Sequence, residues 1–88
     1  MKLKYNFVTN EVADKIVAVA VGDDLQKFNR FIKMNDMGAY IFNMLKNDVT
    51  EEEIEAAMKK DYSDATEEEI KETVSEFVGK LKDADVLE

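Results

Sequence analysis

The sequence contains neither cysteine nor histidine. Without cysteine the chain has no disulfide, no thiolate nucleophile and no Cys-type metal site. Without histidine it lacks the usual general base near neutral pH and the commonest metal ligand. Its three glycines stand alone and form no phosphate-binding loop, and no Asp-rich calcium loop is present. We therefore expect no enzymatic activity, no catalytic residue, no metal and no cofactor, although the 20 Asp and Glu residues are numerous enough to offer acid-base pairs.

Long apolar stretches are also missing. No segment approaches the roughly 18 apolar residues that suggest a membrane-spanning helix. The first residues, MKLKYNFVTNEV, contain no apolar core of a secretory signal. The chain of 88 residues is expected to form one small domain over residues 1–88, located in the cytoplasm and not on a membrane.

Charge is unevenly distributed along the chain. The net charge is −8, yet residues 1–34 carry six Lys or Arg against four Asp or Glu, whereas residues 35–88 carry six against sixteen. Such an acidic domain is not attracted to the phosphates of nucleic acid or to anionic lipid. The last predicted helix, residues 66–83, has six acidic residues and three lysines and no arginine, so nucleic acid is not an expected partner.

Hydrophobic patterning predicts three strands in the first part of the chain. They cover about residues 7–12, 16–21 and 28–34, with a turn at 13–15 and a break at 22–24. The second, a β-branched and alanine run, has the composition of a strand that is covered on both faces or is central in the sheet. In the third strand Ile32 and Met34 should share one face, and Phe31 and Lys33 the other.

Three helices are predicted after the strands. The first begins at Asn35 or Asp36, ends near Lys46 and is apolar around most of its circumference, which is typical of a buried helix. The others begin with capping boxes at Thr50 and Thr66. The predicted core stripe of the last helix is Ile70, Val74, Phe77 and Leu81. The fold class is therefore α+β, with three N-terminal antiparallel strands followed by three helices, similar to a winged helix-turn-helix.

The third strand is the clearest candidate for function. A strand at a sheet edge, fixed by the buried helix that follows it directly, presents free backbone groups to another strand. The alternative is an ordinary edge strand that Arg30 and Lys33 protect from such pairing. Physical reasoning alone does not separate these two interpretations.

The chain resembles the coenzyme PQQ synthesis protein D (PqqD) family over essentially its whole length. The strand-to-helix junction has Asn35, Gly38, Ala39 and Ile41 at the family's spacing, and Tyr62 precedes the last helix. That helix and the chain end continue the pattern with an apolar series: Val74, Phe77, Val78, Leu81, Val86 and Leu87.

Two positions depart from the family pattern. Thr73 stands where an Asp is common, and Asp85 replaces the glycine usual before the closing apolar pair. The first departure bears on whether this chain shares its partner with the PQQ-pathway members.

The resemblance implies a peptide-binding chaperone or adaptor of the kind called a RiPP recognition element. Such proteins bind the leader segment of a ribosomally made precursor peptide and present it to a modifying enzyme, often a radical S-adenosylmethionine enzyme, as in PQQ biosynthesis. The leader adds as a strand to the third strand, beside the third helix. The alternative is a protein–protein adaptor or an edge-strand homodimer without a leader peptide; monomer and weak dimer both fit the sequence.

The resemblance also indicates which residues should contact the peptide. The strand candidates are Phe28, Asn29, Arg30, Phe31, Ile32 and Lys33. The helix candidates are Lys71, Val74, Ser75, Val78 and Lys82, with Ile32, Val74 and Val78 as apolar walls. Because Lys71 and Lys82 flank this surface, we expect the peptide to carry Asp or Glu next to an apolar anchor.

Overall fold

A computed structural model describes residues 1–88 and contains one three-stranded antiparallel sheet. Its strands are β1 (Phe7–Val12), β2 (Lys15–Ala20) and β3 (Phe31–Met34), in the spatial order β1-β2-β3. The strand β2 is central, as its β-branched composition predicted. A two-residue turn joins β1 to β2, with Ala13 at a φ of 58°. The strand β3 is therefore an edge of the sheet.

The three predicted helices begin where the sequence predicted them, at α2 (Asp36–Met44), α3 (Glu51–Asp61) and α4 (Glu67–Asp83). A short helix α1 (Asp24–Lys27), which the sequence did not predict, precedes β3. Asn35 caps α2 by accepting a hydrogen bond from the Gly38 N–H. Thr50 and Thr66 each form a complete capping box. The backbone N–H of Thr66 donates to the Glu69 carboxylate, which lowers the pKa of Glu69. No helix is both long and apolar enough to cross a membrane.

The core lies between the inner face of the sheet and the helices. Ile32 and Met34 point into it, while Phe31 and Lys33 point away, so the predicted alternation of β3 is confirmed. The helix α2 packs across β2 and β3, and its Ile41 and Phe42 have no exposed surface. The predicted order of three strands followed by three helices is confirmed; the likeness to a winged helix stays a prediction.

Two sequence-based predictions about the elements are corrected. The third strand begins at Phe31 rather than Phe28, because Phe28 ends α1 and packs its ring among Tyr5 and Phe7. In α4 the core position is held by Val78, which is 2% exposed, while Phe77 is only partly buried. Both side chains flank the same apolar stripe, and packing against the other helices decides which one is enclosed.

The two ends of the chain close the core together. Leu3 and Leu87 form an isolated antiparallel bridge, and the N–H of Lys4 donates to the Val86 carbonyl. Asp85, at the position where a glycine is usual, has a φ of 59° just after α4. A left-handed residue at this point is the ordinary reason for glycine after a helix. Asp85 also accepts a hydrogen bond from the Lys4 ammonium, which raises the pKa of Lys4.

Candidate functional site

In β3, two residues direct their backbone N–H and C=O groups away from the sheet. The N–H of Val21 donates to the Asn6 carbonyl, which sets the alternation of hydrogen bonds between β1 and β2. Because hydrogen-bonded pairs alternate along an antiparallel sheet, Ile32 must pair with its partner on β2. The N–H and C=O groups of Phe31 and Lys33 therefore point away from the sheet. The exposed edge offers four backbone groups at fixed positions.

The wall opposite this edge comes from the C-terminal half of α4. A cleft of about 140 Å³ separates the two elements near Leu81 and Ala84. A second cleft of about 290 Å³ lies beside it and is lined by Phe77 and by Lys33. Lys80 lines both clefts, so they form one trough along β3, which we call the edge groove. The residues of α4 that line it are Phe77, Lys80, Leu81 and Ala84.

Two cationic side chains cross the edge groove. The Lys80 ammonium donates to the main-chain oxygen of Lys33 at 2.7 Å. The Arg30 guanidinium donates to the Ala84 carbonyl at 3.3 Å and lies 4.8 Å from the centre of the Phe28 ring. Lys15 adds a further amine to the lining, and no carboxylate lines either cleft. The groove is thus cationic in a chain of net charge −8.

Phe77 and Gly38 fit together at one end of the edge groove. A Cβ atom on Gly38 would lie 2.9 Å from Cε1 of Phe77 and 3.0 Å from Cβ of Met34. The glycine therefore lets the Phe77 ring pack closely against the start of α2. The nearest neighbours of Gly38 are thus side chains, the Phe77 ring and Met34.

Five of the six predicted strand residues lie at the edge groove. Arg30, Phe31 and Lys33 are exposed beside it, while Phe28 and Ile32 are buried beneath it. Phe31 is 58% exposed, and the Lys33 ammonium lies 5.7 Å from its ring centre. Asn29 is exposed ahead of the strand and does not line the groove.

The predicted helix residues do not line the edge groove, and their contact with a peptide stays a prediction. Val74 and Val78 are buried in the core. Lys71 lines a separate cavity of about 440 Å³ between α3 and α4, together with Glu52, Glu55 and Glu67. Ser75 and Lys82 are exposed on the same flank as Lys71. At 3.6 residues per turn this flank is roughly 150° around α4 from the Lys80 flank.

The cavity beside Lys71 is about as large as the two clefts of the edge groove together, but it is a poorer candidate. Most of its lining is charged, and the Lys59 ammonium lies 3.4 Å from the Glu67 carboxylate across it. It has no free strand edge. The described residues also contain no group of three Asp or Glu side chains arranged to hold a metal ion.

Sequence reasoning missed Phe77, Lys80, Leu81 and Ala84 as groove residues. These residues are spaced by three, one and three positions, so the sequence does indicate that they share one face of a helix. What the sequence did not show is which flank of the core stripe meets β3.

The comparisons with known proteins agree on the fold. The family model for coenzyme PQQ synthesis protein D (PqqD) matches residues 16–87. The chain belongs to this family. Its structure is similar to that of TbiB1, solved in complex with the TbiA(beta) leader peptide, with a TM-score of 0.74 and 23% identity. The likeness covers 100% of this chain and 95% of TbiB1, and it shows a shared fold. No curated protein matches the chain.

Proposed function

We propose that this chain binds the leader segment of a ribosomally made precursor peptide and presents it to a modifying enzyme. The leader adds as a strand to β3 and lies in the edge groove. The chain itself is one non-catalytic domain, a peptide chaperone. The enzyme is of the radical S-adenosylmethionine class, and the pathway makes PQQ or another peptide-derived product.

The observation that carries this proposal is the orientation of β3. Phe31 and Lys33 direct their N–H and C=O groups outward, and α4 forms a wall beside them. An unpaired edge with an adjacent groove supports both parts of strand addition, the backbone pairing and the capture of side chains. Membership of the PqqD family, and the leader peptide with which TbiB1 forms its complex, support the same ligand class.

The free energy of peptide binding cannot come from backbone pairing alone. Four hydrogen bonds contribute about 0.5–1.5 kcal/mol each, whereas association costs an estimated 4–15 kcal/mol. One or two apolar side chains of the peptide must therefore be buried, at roughly 1.5–3 kcal/mol each. The partly exposed ring of Phe77 and the stem of Lys80 offer the surface for them.

Charge defines the remainder of the ligand. The edge groove is lined by Lys15, Arg30, Lys33 and Lys80 without a carboxylate, so an acidic side chain beside the apolar anchor is favoured. The leader is thus still expected to carry Asp or Glu next to an apolar anchor. In this proposal the lysines that line the groove, rather than Lys71 and Lys82, contact that acidic side chain.

The test uses any short precursor peptide that the genome encodes beside the gene for this chain. Its leader segment, labelled with fluorescein, is titrated with the full chain and followed by anisotropy. Saturable one-to-one binding, with slowed hydrogen exchange at Phe31 and Lys33, is expected. Absence of binding, or protection confined to the Lys71 flank, would contradict the proposal.

One observation favours a second candidate, an adaptor or homodimer that pairs edge strands. The sheet has two free edges, because β1 is unpaired on its outer side as β3 is. Light scattering over a range of concentrations separates the two functions. A mass that doubles with concentration, and that Lys33→Pro abolishes, would support self-pairing.

A further inference from the structure

The outward face of the sheet carries an apolar surface that the fold does not use. Pairing places Val8 opposite Val19, and Val19 opposite Phe31, in one row across all three strands. The residues of this face, which we call the outer sheet face, are Val8, Asn10, Val12, Lys15, Val17, Val19, Phe31 and Lys33. Their apolar members take no part in the core, whose residues and packing neighbours all lie elsewhere.

Exposure on this face is concentrated rather than scattered. Four large hydrophobic side chains of the chain are exposed, and three of them, Val8, Val12 and Phe31, belong to the outer sheet face. Single exposed hydrophobic residues need no explanation, whereas a contiguous group on one face indicates an interaction surface. Its charged members, Lys15 and Lys33, are both basic, although the chain as a whole is strongly acidic.

We propose that the outer sheet face binds the modifying enzyme through an apolar, acid-rimmed surface of that enzyme. This inference rests on the proposed function. A leader strand added to β3 becomes the fourth strand of the sheet, so its alternate side chains continue the outer sheet face. An enzyme seated there contacts the chain and the bound leader together, and it recognises the loaded complex more strongly than the free chain.

A second copy of the chain fits this face less well. Three strands about 4.8 Å apart and roughly five residues long cover on the order of 250 Å², well below the ~800 Å² per partner of a standard interface. Two such faces would also bring Lys15 and Lys33 against their own copies. Carboxylates at the rim of the enzyme meet the second objection, and contacts to the added leader strand enlarge the area that the enzyme can bury.

The test measures binding of any modifying enzyme that the genome encodes beside this chain's gene, with and without the labelled leader. Val8→Glu with Val12→Glu alters β1, which does not line the edge groove, although Val12 pairs with the groove residue Lys15. Leu25→Glu on α1 is the control because Leu25 is 52% exposed outside this face. We expect the double variant to lose about tenfold or more in enzyme affinity and Leu25→Glu to stay within about twofold. Val12→Lys should weaken binding less than Val12→Glu, since a cation suits an acidic rim.

Leader affinity is measured in parallel on each variant and should stay within about twofold of wild type, because neither Val8 nor Val12 lines the edge groove. A wild-type chain that binds the leader but not the enzyme, or a double variant that binds the enzyme normally, overturns the inference and leaves the proposed function intact. Failure of the wild-type chain to bind the leader counts against the proposed function instead. A concentration-dependent dimer that Val8→Glu with Val12→Glu dissolves assigns the face to a second copy and also overturns the inference.

Discussion

The ammonium of Lys80 lies 2.7 Å from the main-chain oxygen of Lys33 and donates a hydrogen bond to it. This carbonyl is one of the outward groups of β3, so a side chain of α4 occupies part of the edge that we assign to the peptide. Lysines at exposed edges hinder unwanted strand pairing. We infer that Lys80 hinders strand pairing at this edge in the free chain. When the leader displaces its ammonium from the Lys33 carbonyl, that ammonium can pair with an acidic side chain of the leader.

Charge reversal in the edge groove tests this arrangement. Lys15→Glu with Lys80→Glu should weaken binding of the labelled leader by about tenfold at low salt, because carboxylates replace the amines that face the peptide. Higher ionic strength should reduce the difference. Anisotropy titrations at two salt concentrations provide the measurement.

Lys71→Glu with Lys82→Glu is the matched control for this prediction. It changes the net charge by the same amount, but both lysines lie on the other flank of α4. Its affinity should remain within about twofold of wild type. Equal losses in the two double variants would mean that only overall charge matters and would refute the assigned groove.

Gly38→Ala should destabilise the chain and disturb the groove together. The added Cβ meets the Phe77 ring at 2.9 Å and Met34 at 3.0 Å, so the ring must move toward the peptide site. Overpacking costs typically 1–3 kcal/mol, against about 1 kcal/mol gained in helix propensity. We expect a net loss of up to about 2 kcal/mol in the free energy of urea unfolding, and weaker leader binding.

Gly79→Ala provides the opposite result at a helical glycine. Nothing lies within 4 Å of a Cβ at this position, so the substitution should stabilise α4 by about 1 kcal/mol. If both alanine variants shift the urea midpoint in the same direction, the close packing of Gly38 and Phe77 does not determine the stability of Gly38→Ala.

The turn between β1 and β2 stores strain at Ala13. Its φ of 58° is left-handed, which costs an alanine roughly 1–2 kcal/mol and a glycine far less. Part of the gain is lost to the greater freedom of glycine in the unfolded chain. Ala13→Gly should therefore stabilise the fold by about 0.5–1 kcal/mol, whereas Ala56→Gly in α3 should cost about 1 kcal/mol. Thermal unfolding followed by circular dichroism would detect both changes.

The side chain of Tyr40 connects α2 to the end of α3, and its hydroxyl should lose its proton at a higher pH than that of an ordinary tyrosine. Its hydroxyl donates to the Asp61 carboxylate at 2.5 Å, and this bond, aided by burial and by the nearby charge, raises the pKa of Tyr40 to about 12. Since the folded pKa lies above the ordinary value of 10.0, the bond stabilises the fold below that pH. This contribution is lost as pH rises toward 12.

Ultraviolet titration of tyrosinate measures this shift. The step near pH 12 should disappear in Tyr40→Phe and move toward 10 in Asp61→Ala. A wild-type curve whose last step survives in Tyr40→Phe would assign the shift to another tyrosine.

Features set by neighbours in sequence were predictable. The capping boxes of Thr50 and Thr66, the cap of Asn35 and the alternation of Ile32 with Lys33 all depend on residues within four positions. The third strand could be predicted as a candidate site for the same reason: its pattern is local.

Features set by packing between distant elements were not predictable. Phe28 continues the apolar pattern of β3, yet stacking on Tyr5 draws it into the core and shortens the strand. Phe77 and Val78 are adjacent, and only the position of α4 against β3 and α2 decides which is enclosed. The same rotation of α4 determines that Lys80, not Lys71 or Lys82, reaches the groove.

Proline substitution at the two sheet edges tests the central claim most directly. Lys33→Pro removes an outward N–H from β3, and Glu11→Pro removes one from the free edge of β1 at another exposed charged residue. Both variants should stay folded, because proline is tolerated where the N–H faces open space. Ile32→Pro should unfold the chain, because its N–H pairs within the sheet.

Lys33→Ala, which keeps the N–H, separates the backbone effect from loss of the side chain. We predict that Lys33→Pro lowers leader affinity by about tenfold relative to Lys33→Ala, while Glu11→Pro binds as wild type does. Equal affinity of folded Lys33→Pro and Lys33→Ala, or a loss confined to Glu11→Pro, would contradict strand addition at β3.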